Sequence, residues 1–326
     1  MTKNLNKFAQ FKKKLYLCRC KECVNQNIMA NKRPIFMEKW WMDAVCAGKY
    51  WEEILPDMPT LIRKRWWMRY IVMPQQTQIG GMWVDPDTCT MPQAQDLAKQ
   101  IDAKLSEMHL AYYYQQYPIG SPLPEYMRAL GYKVKERVTY RINDLSDLDK
   151  VIGAFSKNKK RQLQKALSLH AERDMSAEAF YQFHAKCMED RSRRVSYERE
   201  FLLVLDRKAR RANQGRILSI CNADGEVYAA AYLVWDDRYM YYLMPTFAPA
   251  HKDSGAGALL VLDAIKMARE LGVAFDFEGS MHRGVANHYK QFGATPTIYY
   301  SVSKVYKWYF YIPLAINWFR NLKYGL

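Results

Sequence analysis

The order of elements along this chain predicts an α/β fold, a mixed sheet with helices, arranged as two tandem domains joined by a helical connection. Three observations carry that expectation. Residues 241–304 read as strand, glycine-bearing loop, helix, acidic strand, short helix and strand. A similar order precedes them, and Gly131 and Gly293, each closing a helix ahead of a strand, stand 162 residues apart. That offset is too long for a stacked repeat and suits a duplicated domain. The length of 326 residues supplies apolar content for two cores.

Residues 1–30 read as a basic extension outside the repeat. Cys18, Cys20 and Cys23 have metal-ligand spacing, but no second pair of Cys or His follows nearby, so no metal is expected. The first domain is assigned to residues 31–150. Its periodicity gives a helix at 40–45, strands at 60–73 and 80–84, a helix at 94–108, and strands at 110–115 and 134–142. The loop at 84–92 holds Asp85, Pro86, Asp87 and Pro92 and no glycine. It offers a phosphate no cradle, which makes this domain a scaffold and a substrate wall.

The second domain is assigned to residues 151–326. It begins with a basic helix at 156–168 carrying Lys157, Lys159, Lys160, Arg161 and Lys165 with no acidic partners. Lys159, Lys160 and Arg161 are candidates for phosphate contact; the alternative is a solvated face. Helices at 177–190 and 197–212 follow, with Arg and Glu interspersed as on an ordinary salt-bridged surface. Strands at 216–221 and 227–235 lead into the segment that starts at 241.

There the loop Lys252-Asp253-Ser254-Gly255-Ala256-Gly257 precedes a helix at 258–271. Backbone N–H groups of Gly255, Ala256 and Gly257 lie at a positive helix end, with Lys252 as an added charge, which suits an anionic phosphate. The same glycines would also serve merely to tighten the turn. In the strand at 273–278, Asp276 and Glu278 alternate with Phe275 and Phe277, so both carboxylates are expected on one face. In a cleft, a partly desolvated Glu278 would act as a general base or ammonium ligand, with Asp276 as the second candidate. Alternatively, one of them pairs with an Arg or caps the next helix. His282 and Arg283 follow on a loop, where they could meet a substrate phosphate or carboxylate.

These motifs resemble the GNAT acyltransferases. Lys252-x-x-Gly255-x-Gly257 is similar to their acyl-CoA loop, with Lys in place of the usual first residue. Phe275-Asp276-Phe277-Glu278-Gly279, Tyr289-Lys290-x-Phe292-Gly293 and the basic run at 158–166 look like the FemABX-like and BioF2-like branch. The resemblance covers roughly residues 34–304 and implies tandem GNAT-like domains. It also implies that Tyr289 protonates the departing group. The expected activity is direct transfer of an acyl group from acyl-CoA (acetyl-CoA) to an amine acceptor. The alternative is an aminoacyl-tRNA donor with a peptidoglycan or lipid-linked acceptor. A third reading is a catalytically silent module that binds an anionic surface.

Composition narrows the partners. A net charge of +16 predicts an anionic one. Seven cysteines and a basic start without an apolar core point to reduced thiols and a cytoplasmic setting. No apolar run of about 18 residues predicts a membrane span. Residues 306–324 interleave aromatics with Lys307, Arg320 and Lys323. That segment suits either peripheral contact with an acidic membrane or a strand and helix capping the core. No nucleophile elbow or Walker loop occurs.

Overall fold

The computed structural model describes residues 33–316 apart from 47, 280 and 282. The first half runs α1 (Lys39–Val45), β1 (Trp51–Glu53), β2 (Pro59–Arg65), β3 (Met68–Ile71), α2 (Met91–Glu107), β4 (Tyr112–Gln116), α3 (Leu123–Ala129) and β5 (Lys133–Ile142). A helical connection follows, α4 (Leu148–Gly153) and α5 (Lys157–Lys165). After β6 (His170–Glu172) come α6 (Ala177–Glu189), α7 (Arg199–Arg211), β7 (Gly215–Cys221), β8 (Val227–Trp235) and β9 (Tyr239–Phe247). The chain then forms α8 (Ala256–Leu271), β10 (Ala274–Asp276), α9 (Arg283–Lys290) and β11 (Thr295–Val305).

The expected mixed α/β architecture is present. Among the described residues eleven strands join one sheet in the order β1-β2-β3-β4-β11-β5-β10-β9-β8-β7-β6. Two parallel pairs, β3 with β4 and β9 with β10, flank its centre. Each belongs to one copy of a strand–helix–strand–helix–strand series, so the duplicated order is visible in the sheet. The last strands of the copies are exchanged. β5 lies between β11 and β10, and β11 lies between β4 and β5. Residues 31–150 and 151–326 are therefore joined through hydrogen bonds as well as along the chain.

Local chemistry explains most boundaries. Thr90 and Gln93 form a reciprocal capping box that starts α2. Ala94, Ala98, Ile101 and Leu105 recur at helical spacing on its buried face against Tyr113 and Tyr117. Ser156 caps α5 by accepting the Lys159 N–H. Three expectations need revision. The stretch 60–73 is not one strand but the antiparallel pair β2 and β3, which turns at Trp66 and Trp67. Residues 80–84 form no strand, because Gly80 and Gly81 spend their N–H groups on the Gln116 carbonyl and the Gln115 side chain. The strand expected at 273–278 stops at Asp276, since the chain then crosses closely over β5. A Cβ on Gly279 would stand 2.3 Å from the Val138 carbonyl oxygen, and Gly279 takes φ +65°.

Candidate active site

Two cavities surround the candidate residues. The first is a cleft of about 330 Å³ at the start of α8, lined by Gly255, Ala256, Gly257, Lys252, Lys159, Gln162, His288 and their neighbours. Gly255 is left-handed at φ +84°, and a Cβ there would meet the Gln162 carbonyl oxygen at 2.0 Å. The glycine therefore lets α5 press onto the loop while shaping it. Ser254 Oγ accepts the Ala256 N–H, and Ala258 and Leu259 donate to the Gly255 carbonyl.

Helix α5 brings one lysine into this cleft. Lys159 is 3% exposed, and among the described residues no carboxylate pairs with it. Its Nζ donates to Gln162 Oε1 at 3.0 Å, lies 3.2 Å from His288 Nδ1 and sits over the Phe292 ring. Burial lowers Lys159 to about 8. Burial and the lysine's charge hold His288 at about 4, which leaves Nδ1 free to accept from the ammonium. A buried cation without an anion, beside a helix N-terminus, fits a ligand phosphate. Lys160 and Arg161, predicted with it, lie outside both cavities. Lys160 donates to the Gly153 carbonyl and Arg161 to Asn158 Oδ1.

Glu278 lines a second cavity, also about 330 Å³, with Gln76, Thr77, Gln78, Gln116, Arg137, Val138, Gly279 and Tyr299 among its walls. The two cavities share no lining residue. Glu278 lies past the end of β10 at φ +62°, a strained conformation for a residue with a Cβ. Its Oε1 is enclosed and makes no hydrogen bond. Burial, and then the charge of Asp276, push this carboxyl well above the usual range.

Asp276 is placed differently. It is fully buried, accepts from Arg141 Nε at 2.6 Å and from Thr139 Oγ1, and takes the Glu278 N–H at 2.7 Å. Both of its oxygens are engaged, the Arg-paired alternative of the sequence reading. Tyr289 lines neither cavity. Its ring stacks on Phe277 at 4.4 Å, and burial with the charges of Glu278 and Asp276 raises its hydroxyl, which stays protonated. Arg283 sits on α9 beside a neighbouring cleft that shares Val138 and Met281 with the Glu278 cavity. His282 lies outside the described residues, as do Cys18, Cys20 and Cys23. Among the described residues no group of three or more His, Cys, Asp or Glu is placed to hold a metal.

Gln78 and Arg137 escaped the sequence reading. Gln78 is 7% exposed, and neither of its amide atoms has a partner; Arg137 Nε is also buried and unpaired. No local pattern marks either residue. Arg137 stands beside Lys133, Lys135, Glu136 and Arg141 in the same strand, so its charge does not set it apart.

The model of the acetyltransferase (GNAT) domain family matches residues 137–291, a span that includes Arg137, Lys159, the Gly255 loop, Glu278 and Tyr289. No curated protein matches the chain. Among solved structures, FemX shares 13% identity at a TM-score of 0.65, over 82% of this chain and 91% of that one. A conserved protein of unknown function from Bacteroides thetaiotaomicron VPI-5482 shares 10% at 0.56, over 84% and 91%. The C-terminal domain of a putative lysylphosphatidylglycerol synthetase from Agrobacterium fabrum shares 12% at 0.54, over 83% and 88%. At these identities the likeness is one of fold.

Proposed function

We propose, from the premise that residues 137–291 form a GNAT acetyltransferase domain, that this acyltransferase uses an acyl-CoA donor and an amine acceptor. The observation that carries the donor is Lys159, a buried cation facing the Gly255–Ala258 turn with no carboxylate of its own among the described residues. With the Gly257 end of α8 and Lys252 at the rim, it supplies the charge a coenzyme phosphate needs. Glu278 takes a proton from the acceptor ammonium, for which its raised affinity for protons is suited. The amine nitrogen then bonds to the acyl carbon as the bond to the donor sulfur breaks. The leaving thiolate takes up a proton; the family resemblance assigns its delivery to Tyr289, whose ring is stacked on Phe277 outside both cavities. Asp276 serves as a positioning residue, orienting the Glu278 backbone from its pair with Arg141.

The second reading keeps the fold and replaces the donor with an aminoacyl-tRNA, since Lys160 and Arg161 remain exposed on α5. Calorimetric titration with acetyl-CoA at low and high salt tests the choice. Saturable binding that persists at high salt and is weakened in Lys159→Gln supports the coenzyme. No binding of acetyl-CoA, with steeply salt-dependent binding of aminoacyl-tRNA, overturns it.

Peripheral contact with an acidic bilayer belongs to the same reading. Trp308, Tyr311, Ile312 and Ile316 are exposed, and Phe310 packs beside Met68. That methionine follows the exposed, stacked pair Trp66 and Trp67 at the β2–β3 turn, with Arg63, Lys64 and Arg65 leading into it. Rings flanked by cations suit headgroup depth. Among the described residues no helix is long and apolar enough to cross a membrane. Cosedimentation with anionic but not neutral vesicles, lost in Trp66→Ser/Trp67→Ser, is the expected result.

A further inference from the structure

We propose that the acceptor is a small zwitterion, a free amino acid whose ammonium and carboxylate are both held in the Glu278 cavity. This deepens the proposed function and rests on its assignment of Glu278 to the acceptor side. Four buried polar atoms on residues lining this cavity lack any partner: Glu278 Oε1, Gln78 Oε1, Gln78 Nε2 and Arg137 Nε. In folded proteins buried polar groups are almost always paired, and each one left orphaned is costly; of the thirteen such atoms among the described residues, four gather at this cavity. Here they come as two acceptors and two donors. An ammonium answers the two acceptors and a carboxylate answers the two donors. A simple amine would satisfy Glu278 and Gln78 Oε1 and leave Gln78 Nε2 and Arg137 Nε unpaired.

Loose placement does not explain the orphaned amide. The loop that carries Gln78 is tied down on both sides: Trp41 Nε1 donates to Thr77 Oγ1 at 3.0 Å, and Gly80 N–H to the Gln116 carbonyl at 2.7 Å. Gln115 reaches the same loop from β4, accepting from Gly81 N–H at 3.2 Å. The Gln78 side chain, 7% exposed, is thus held at the cavity wall. Arg137 comes from β5, with Tyr299 of β11 directly opposite it in the register. The exchanged strands therefore build the carboxylate end of the cavity, while the chain after β10 brings the ammonium end. A volume of about 330 Å³ admits an amino acid and its first side-chain atoms.

The test is calorimetry on the full chain without donor, using a panel of free L-amino acids and β-alanine, each beside its methylamide and its N-acetyl derivative. At least one free amino acid is expected to bind tenfold or more tightly than both of its blocked forms. Arg137→Gln should abolish the preference for acid over methylamide. Gln78→Leu should weaken amino-acid binding without lowering Tm, because the amide has no hydrogen bond to lose. Equal binding of acid and methylamide overturns the proposal, as does an acid preference unchanged in Arg137→Gln, or no binding across the panel. A separate assay of thiol release from acetyl-CoA distinguishes the two inferences. Acylation of plain amines with no preference for amino acids removes the zwitterion and leaves the acyltransferase. Binding of amino acids without any thiol release does the reverse.

Discussion

Glu278 and Asp276 are two residues apart and have opposite fates. Asp276 is matched by Arg141, and removing one partner of such a buried pair typically costs about 3–5 kcal/mol. Glu278 has an enclosed, unpaired oxygen on a left-handed backbone, an arrangement that burdens the fold and that a bound ammonium would relieve. Because its folded pKa is raised, the unfolded chain gives up this proton first. The group's stabilising share is whole below the unfolded value of about 4.3 and is lost as pH climbs through the folded one. Glu278→Gln is therefore expected to raise Tm over wild type in alkaline buffer and to match it in acid, while turnover falls about a hundredfold or more. Equal Tm at every pH, or undiminished turnover, would sink the assignment. Lys159 has the inverse dependence. It loses its charge as pH rises through about 8, so acetyl-CoA affinity should decline across that range in wild type and stay flat in Lys159→Gln.

Helix α5 and the turn before α8 act as one unit, since Gly255 is the contact between them. Gly255→Ala should force the helix away from the loop and impose a left-handed alanine, at a cost of about 1 kcal/mol or more. Faster hydrogen exchange in α5 and weaker acetyl-CoA binding are expected together. Exchange unchanged in α5 would mean that the contact does not hold the helix. Elements of this kind were legible in the sequence because their signals are local: glycines at a helix start, a run of unbalanced lysines. Burial was not. Lys159, Lys160 and Arg161 look alike in the sequence, and only the pitch of α5 against Phe292 and His288 singles out the first. Glu278 falls outside the strand for a similar reason: the alternation ends at Asp276, where the chain turns over β5. Gln78 and Arg137 carry no pattern, because their importance lies in what they fail to touch.

At the scale of the molecule, the repeat was readable and the exchange was not. Pairing partners of β5 and β11 depend on which copy each strand crosses to, and no local pattern in either strand names its neighbour. Residues 151–326 alone would leave β10 without β5 and Asp276 without Arg141. Expressed separately, neither half is expected to melt cooperatively, whereas coexpression should restore a single transition. A cooperative melt of 151–326 by itself would show that the exchanged strand is dispensable. The interleaving also sets a schedule for biosynthesis. β11 is the last strand of the sheet to be made, yet its place is near the middle, between β4 and β5. Until it emerges, the strands made from residues 112–142 present open edges to whatever else is nascent nearby. A ribosome that stalls or terminates before Val305 thus releases a chain open along its central seam, a natural client for chaperones that guard unpaired strands.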